Sequence, residues 1–126
     1  MTIRAYQHTI DLEPVLRIYR EVGWVPETAH RSAATEILES GRGVVAEVHG
    51  SPECLAIAHS GAIRYLTADL PMSAITSVIT SRIARKQGFA GRLTAHLLAE
   101  EASRGFAVAL LGMFEQGYYN RPCCLN

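Results

Sequence analysis

Two apolar runs on either side of a long helical pattern constrain this chain more than any other feature. Met72 to Thr80 reads as a strand, Arg92 to about Ser103 as a helix, and Phe106 to Leu111 as a strand of buried type. A strand–helix–strand unit of this kind closes as a parallel pair joined by a right-handed crossover. The segment between the first strand and the helix, Arg85-Lys86-Gln87-Gly88-Phe89-Ala90-Gly91, adds a chemical meaning. The first N–H groups of a helix have no intrahelical acceptor, and the helix dipole adds partial positive charge there. A glycine-containing turn beside them, with full charge on Arg85 and Lys86, makes a place for a phosphate.

The rest of the chain surrounds this unit with antiparallel elements. Thr2 to Tyr6 alternates as a short strand. Asp11 is the expected N-cap of a helix that buries Leu12, Val15, Leu16, Ile18, Tyr19 and Val22 and ends at Gly23, with Pro14 in its first turn. Trp24-Val25-Pro26 connects to a second helix, Glu27 to Ser40, with Ala29, Ala33, Ile37 and Leu38 inward. Val44 to Val48 is a strand, and His49 to Glu53 a hairpin turn. Cys54 to Leu66 is a long strand with a bulge expected at Gly61. Thr67 to Pro71 turns the chain into Met72 to Thr80. The third helix is expected to bury Leu93, Leu97, Leu98 and Ala102. Glu115 to Arg121 opens a further short helix. The expected fold is α/β (α+β): a mixed, mostly antiparallel sheet with helices on both faces.

Residues 1–126 suffice for a single domain. Formal net charge is zero, which argues against a nucleic-acid-binding surface. No apolar run reaches the roughly 20 residues of a membrane span, so no membrane association is expected. The first residues lack the apolar core of a signal peptide, which makes a cytoplasmic protein the default. The cysteines Cys54, Cys123 and Cys124 suit free thiols rather than a disulfide framework or a zinc site. The histidines lack metal-ligand spacing, so no metal is expected. A Rossmann-type dinucleotide site fits poorly, because Gly88-Phe89-Ala90-Gly91 lacks the required glycine spacing.

Element order and loop together resemble the GCN5-related N-acetyltransferase (GNAT) superfamily. Arg85-Lys86-Gln87-Gly88-Phe89-Ala90 fits its Arg/Gln-x-x-Gly-x-Gly/Ala signature, in the position after the fourth strand that the superfamily gives it. Ser81 to Gly88, with Met113-Phe114-Glu115-Gln116-Gly117-Tyr118-Tyr119-Asn120-Arg121, looks like the enhanced-intracellular-survival (Eis-like) branch. The resemblance covers the chain to about Arg121. Beyond it the branch continues with further strands and further domains, whereas this sequence reads Pro122-Cys123-Cys124-Leu125-Asn126. A domain truncated at its C-terminus, with its last strands missing, is therefore expected.

The resemblance implies acetyl-CoA as co-substrate and a small-molecule or peptide amine as acceptor. It assigns backbone groups of Val78 and Thr80 to pantetheine and the thioester. It assigns Arg85, Lys86, Gly88, Ala90 and Gly91 to the pyrophosphate, and to Tyr119 the proton given to the departing thiolate. No general base is apparent; Glu115, Glu47 and Asp69 are weak candidates, and Trp24 is placed to line an acceptor pocket. An open edge on the strand from Phe106 invites pairing with a second copy, so a homodimer or higher oligomer is expected. Two other readings compete: a domain that binds acetyl-CoA without catalysis, and a structural remnant without ligand.

Overall fold

Short turns decide which strands become neighbours. In the computed structural model, which describes residues 2–22 and 28–111 except the side chains of 28–32 and 111, two hairpins dominate the centre. The elements run β1 (Thr2–Ala5), α1 (His8–Glu21), α2 (Thr28–Ser40), β2 (Arg42–Val48), β3 (Ser51–Tyr65), β4 (Ala68–Thr80), a 3-10 turn (Arg82–Ala84), α3 (Phe89–Ser103) and β5 (Val108–Leu111). Residues His49-Gly50 join β2 to β3, and Leu66-Thr67 join β3 to β4, so these strands pair antiparallel. The sheet order is β1-β2-β3-β4-β5, antiparallel throughout except for the parallel pair β4–β5. As expected, α3 is the crossover between the two parallel strands.

Helices cover both faces. On one, Val15, Leu16, Ile18 and Tyr19 of α1 and Ala34 and Leu38 of α2 pack on Val45, Leu55, Ile57 and Ile79. On the other, Phe89, Leu93 and Leu97 of α3 pack on Val44, Ala46, Ala56, Ala58 and Ile75. Strand alternation divides β3 between the two cores. Alanines on the α3 side leave room for Leu93 and Leu97, which are fully buried.

Several local expectations are corrected. Gln7, not Asp11, occupies the N-cap of α1. Asp11 lies a turn further in, is buried, and accepts the Gln7 N–H at 2.8 Å while pairing with Arg4 at 2.7 Å. Pro14 consequently falls past the first turn, inside the helix. In α2 the buried stripe is Ala34 and Leu38, whereas Ala33 and Ile37 are exposed; the side chain of Ala29 is outside the described residues. No turn separates Thr67 from Pro71, because β4 already begins at Ala68. Pro71 is tolerated there because β5 pairs with β4 only from Met72 onward. Gly61 is no bulge: it pairs in register with Met72, and a Cβ would come within 2.8 Å of the Met72 methyl. The third helix starts at Phe89 rather than Arg92, and its C-terminal inward residue is Glu101, with Ala102 exposed. The strand from Phe106 is shorter and less buried than its composition suggests, because α3 packs over β2, β3 and β4 rather than over β5. Among the described residues no helix is long and apolar enough to cross a membrane.

Candidate functional site

The site is built at the end of β4, and a single extra residue in that strand shapes it. Ile57 pairs with Ser77 but Ala58 pairs with Ile75, which leaves Thr76 as a β-bulge. Its effect appears on both the side chains and the backbone. Ile75 packs in the α3 core and Ile79 in the α1/α2 core, although an unbroken strand would send both to one face. Pro71 O accepts the Ala107 N–H on the β5 side, whereas Ser81 N–H donates to Glu53 O on the β3 side. Without the bulge, residues 71 and 81 would address the same neighbour. Beyond the bulge, therefore, Ser77, Ile79 and Ser81 turn their peptide groups to β3, and Val78 and Thr80 turn theirs away from it. The β5 strand is described to Leu111, which pairs with Ile75, so Val78 and Thr80 lie past that pairing.

The loop follows at once. Arg85, Lys86, Gln87 and Gly88 are exposed, and the α3 N-terminus opens behind them with Gly88 as N-cap. Lys86 and Gly88 have φ of 64° and 78°. Left-handed residues close together turn successive N–H groups into a shared concavity, a shape suited to an anion. Arg92 N–H bonds to Gly88 O, so the N–H groups of Phe89, Ala90 and Gly91 are those left without intrahelical acceptors. The stretch from Leu70 to Ala99 holds no aspartate or glutamate, and it carries Arg82, Arg85, Lys86 and Arg92. Gly88 is needed for its backbone angle rather than for close packing, since a Cβ there would meet nothing within 4 Å. Gly88→Ala is expected to cost about 1 kcal/mol, measured by urea denaturation.

Sequence reasoning missed the support beneath the loop. Ala46 pairs with Cys54 and Glu47 with Pro52, so Glu53 is the extra residue of a second bulge. Its carboxylate is buried and accepts Arg17 Nη2 at 3.0 and 3.1 Å. Burial alone would raise the Glu53 carboxyl; Ser81, Arg17 and Ser51 outweigh it and hold the group below the ordinary carboxylate range. The fully buried Ser81 hydroxyl contributes by proximity, short of full hydrogen-bond geometry. The hairpin turn expected over His49 to Glu53 is only His49-Gly50, because β3 begins at Ser51 and takes Pro52 and Glu53 into the sheet. On the α3 face, Cys54 Sγ lies 3.3 Å from Thr80 Oγ1, and burial pushes its thiol up.

The other candidates separate. Glu47 is paired with Arg4 and stands on β2, two strands from β4. Asp69 pairs with Arg64 at 2.6 Å, at the far end of β4 and roughly 35 Å from Thr80 by strand rise. Neither is placed to act as a base at the loop. Trp24, Glu115, Tyr118 and Tyr119 lie outside the described residues. Among the described residues no three His, Cys, Asp or Glu side chains gather as a metal site. A cleft of about 180 Å³ between α3 and β5, lined by Ser73, Leu98, Glu101 and Phe106, lies at the opposite end of α3 from the loop.

Neither a family model nor a curated protein matches the sequence. Solved structures match the fold strongly. A probable N-acyltransferase of unknown function from Enterococcus faecalis superposes with a TM-score of 0.84 at 15% identity, over 96% of this chain and 31% of that one. A GCN5-related N-acetyltransferase from Kribbella flavida gives 0.82 at 18% identity, over 95% and 33%. AAC(6′)-Iy, solved with the bisubstrate analogue CoA-S-monomethyl-acetylneamine, gives 0.72 at 17% identity, over 95% and 84%. The chain thus spans about a third of the first two proteins and most of the third. Its fold is the mixed α/β fold of the GNAT acetyltransferases.

Proposed function

We propose that this domain transfers an acetyl group from acetyl-CoA to a primary amine of a small molecule or peptide. One observation carries the reading: the bulge at Thr76 turns the peptide groups of Val78 and Thr80 away from β3, directly before an exposed basic loop and a helix N-terminus. A ligand with amides at one end and a pyrophosphate at the other matches that sequence of groups. Val78 and Thr80 pair with the amides of pantetheine as a neighbouring strand would. Arg85 and Lys86, with the N–H groups around Gly88, Ala90 and Gly91, hold the pyrophosphate. A backbone N–H of β4 polarises the thioester carbonyl. The amine nitrogen bonds to the carbonyl carbon as the C–S bond breaks. Tyr119 gives its proton to the sulfur, and the amine proton passes to solvent or to a base still to be identified. Among the described residues β5 is an outer strand, and Leu110 on it is 44% accessible, which supports pairing of two copies.

Calorimetric titration with acetyl-CoA, followed by a thiol-release assay against polyamines, aminoglycosides and lysine peptides, tests the reading. Binding with thiol release is expected; no binding at millimolar acetyl-CoA would sink it. Arg85→Ala is expected to weaken acetyl-CoA roughly five- to tenfold by loss of one charge-assisted phosphate contact, with kcat at saturation nearly unchanged. A kcat that falls while affinity holds would place Arg85 elsewhere in the reaction.

A further inference from the structure

Arg85 to Gly88 are exposed, yet the residues that lead into them are fastened by a ring of polar contacts. Ser81 N–H donates to Glu53 O at 2.8 Å. Arg82 N–H donates to Glu21 Oε1 at 3.2 Å, and Arg82 Nη2 to Glu21 O at 3.3 Å. Arg17 Nη1 donates to Glu21 Oε2 at 3.0 Å, and Arg17 Nη2 closes the ring on Glu53. The last turn of α1, the bulge of β3 and the junction from β4 to the 3-10 turn are thereby joined through one guanidinium. Arg17 Nη2 meets both Glu53 oxygens while Nη1 is held by Glu21, so the guanidinium is fixed from two sides. The pair is also one-sided: Glu53 is buried, while Arg17 keeps 42% of its side chain in solvent.

We propose that Glu53 and Arg17 are positioning residues for the phosphate-binding loop. They fix the direction in which Arg85 and Lys86 are presented, without touching the ligand themselves. Resting on the acetyl-CoA reading of the site, this assigns them to the phosphate end of the co-substrate and not to its thioester end. A misaimed loop loses phosphate contacts, whereas pantetheine still meets Val78 and Thr80 on β4.

The distinguishing probe is a pair of donors, acetyl-CoA and phosphate-free S-acetylpantetheine. Glu53→Gln, which keeps the size of the side chain, is expected to raise the KM for acetyl-CoA by about tenfold. Its kcat, and its KM for S-acetylpantetheine, should stay within about twofold of wild type. In the protein without ligand, amide exchange at Ser81 and Arg82 should accelerate by about tenfold as well. Should Glu53→Gln fail to fold, Arg17→Gln, at a half-exposed position, is expected to show the same split, with partial rescue by Arg17→Lys. A folded variant with unchanged acetyl-CoA affinity, or one that loses both donors equally, overturns the proposal. A wild type that does not bind acetyl-CoA overturns the reading of the site instead. In that case the exchange rates at Ser81 and Arg82 still decide whether the ring holds the loop.

Discussion

Replacement of Glu101 by alanine is expected to remove about 3–5 kcal/mol of stability, a large part of what a domain of this size possesses. The carboxylate is 2% exposed, and both its oxygens are engaged. One takes Arg42 Nε at 2.9 Å and Arg104 Nη1 at 3.0 Å; the other takes Arg42 Nη2 at 2.6 Å and the Ser73 hydroxyl at 2.7 Å. Alanine would leave the fully buried Ser73 hydroxyl without this acceptor, and Arg42 without its counter-charge. The damage would spread to the end of α3, where Gly105 N–H bonds Ala102 O and Phe106 N–H bonds Glu101 O. Phe106 in turn lies under the Arg42 guanidinium at 5.1 Å. Arg42, first among the causes, holds the Glu101 carboxyl at about 2. Since the folded value lies below the ordinary one, the stabilisation is complete above about pH 4.5 and is lost as pH falls toward 2. Urea denaturation of wild type and Glu101→Ala at pH 7, and of wild type and Glu101→Gln from pH 7 to 2, reads both effects. Equal midpoints at pH 7 would show that the cluster adds nothing to stability. A gap between wild type and Glu101→Gln that does not narrow in acid would remove the charge from the explanation.

Tyr119→Phe should lower turnover by about 10²- to 10⁴-fold while leaving acetyl-CoA affinity nearly intact. The assignment comes from the resemblance of Glu115 to Arg121 to the Eis-like segment, and those residues lie outside the described part of the chain. A phenol of pKa about 10 is a weaker acid than a thiol near 8.5, so it stays protonated at neutral pH and can protonate the departing thiolate only where the site stabilises the transfer. In the proposed role, loss of the hydroxyl removes the proton donor, while the phosphate and pantetheine contacts assigned to Arg85, Lys86, Val78 and Thr80 stay in place. The neighbouring Tyr118→Phe is the control and should stay within about twofold of wild type. Thiol release at saturating acetyl-CoA distinguishes them. If the two variants behave alike, the tyrosine spacing carries no information about the acid.

The order of strands and helices was legible because apolar runs, helical periodicity and short turns are local properties. Met72 to Leu111 gave its parallel pair in this way, and Leu93 and Leu97 follow from helical spacing. What escaped depends on residues distant in the chain. Glu101 is absent from the expected inward face of the third helix, because its partner Arg42 lies on β2, 59 positions earlier. Asp11 looked like a cap because Arg4, which neutralises it inside the first turn, belongs to β1. In α2 the expected stripe held Leu38 but took Ala33 and Ile37 where the sheet beneath the helix covers Ala34. The candidate site divides similarly. Arg85, Lys86 and Gly88 were visible as a motif, whereas the bulges at Glu53 and Thr76 are mismatches between two strands and leave no mark on either alone.

Thr76 has a consequence for how this fold tolerates change. On its two sides β4 behaves as two half-strands joined out of phase. The quantity that matters at the junction is a count of residues, odd or even, more than the chemistry of any side chain. Substitutions along β4 alter a contact, but a single-residue deletion at the junction would invert every later position at once. Ile79 would be carried toward α3, and the peptide groups of Val78 and Thr80 toward β3. In this stretch, variation in length should be far rarer than variation in identity among functional descendants of such a domain.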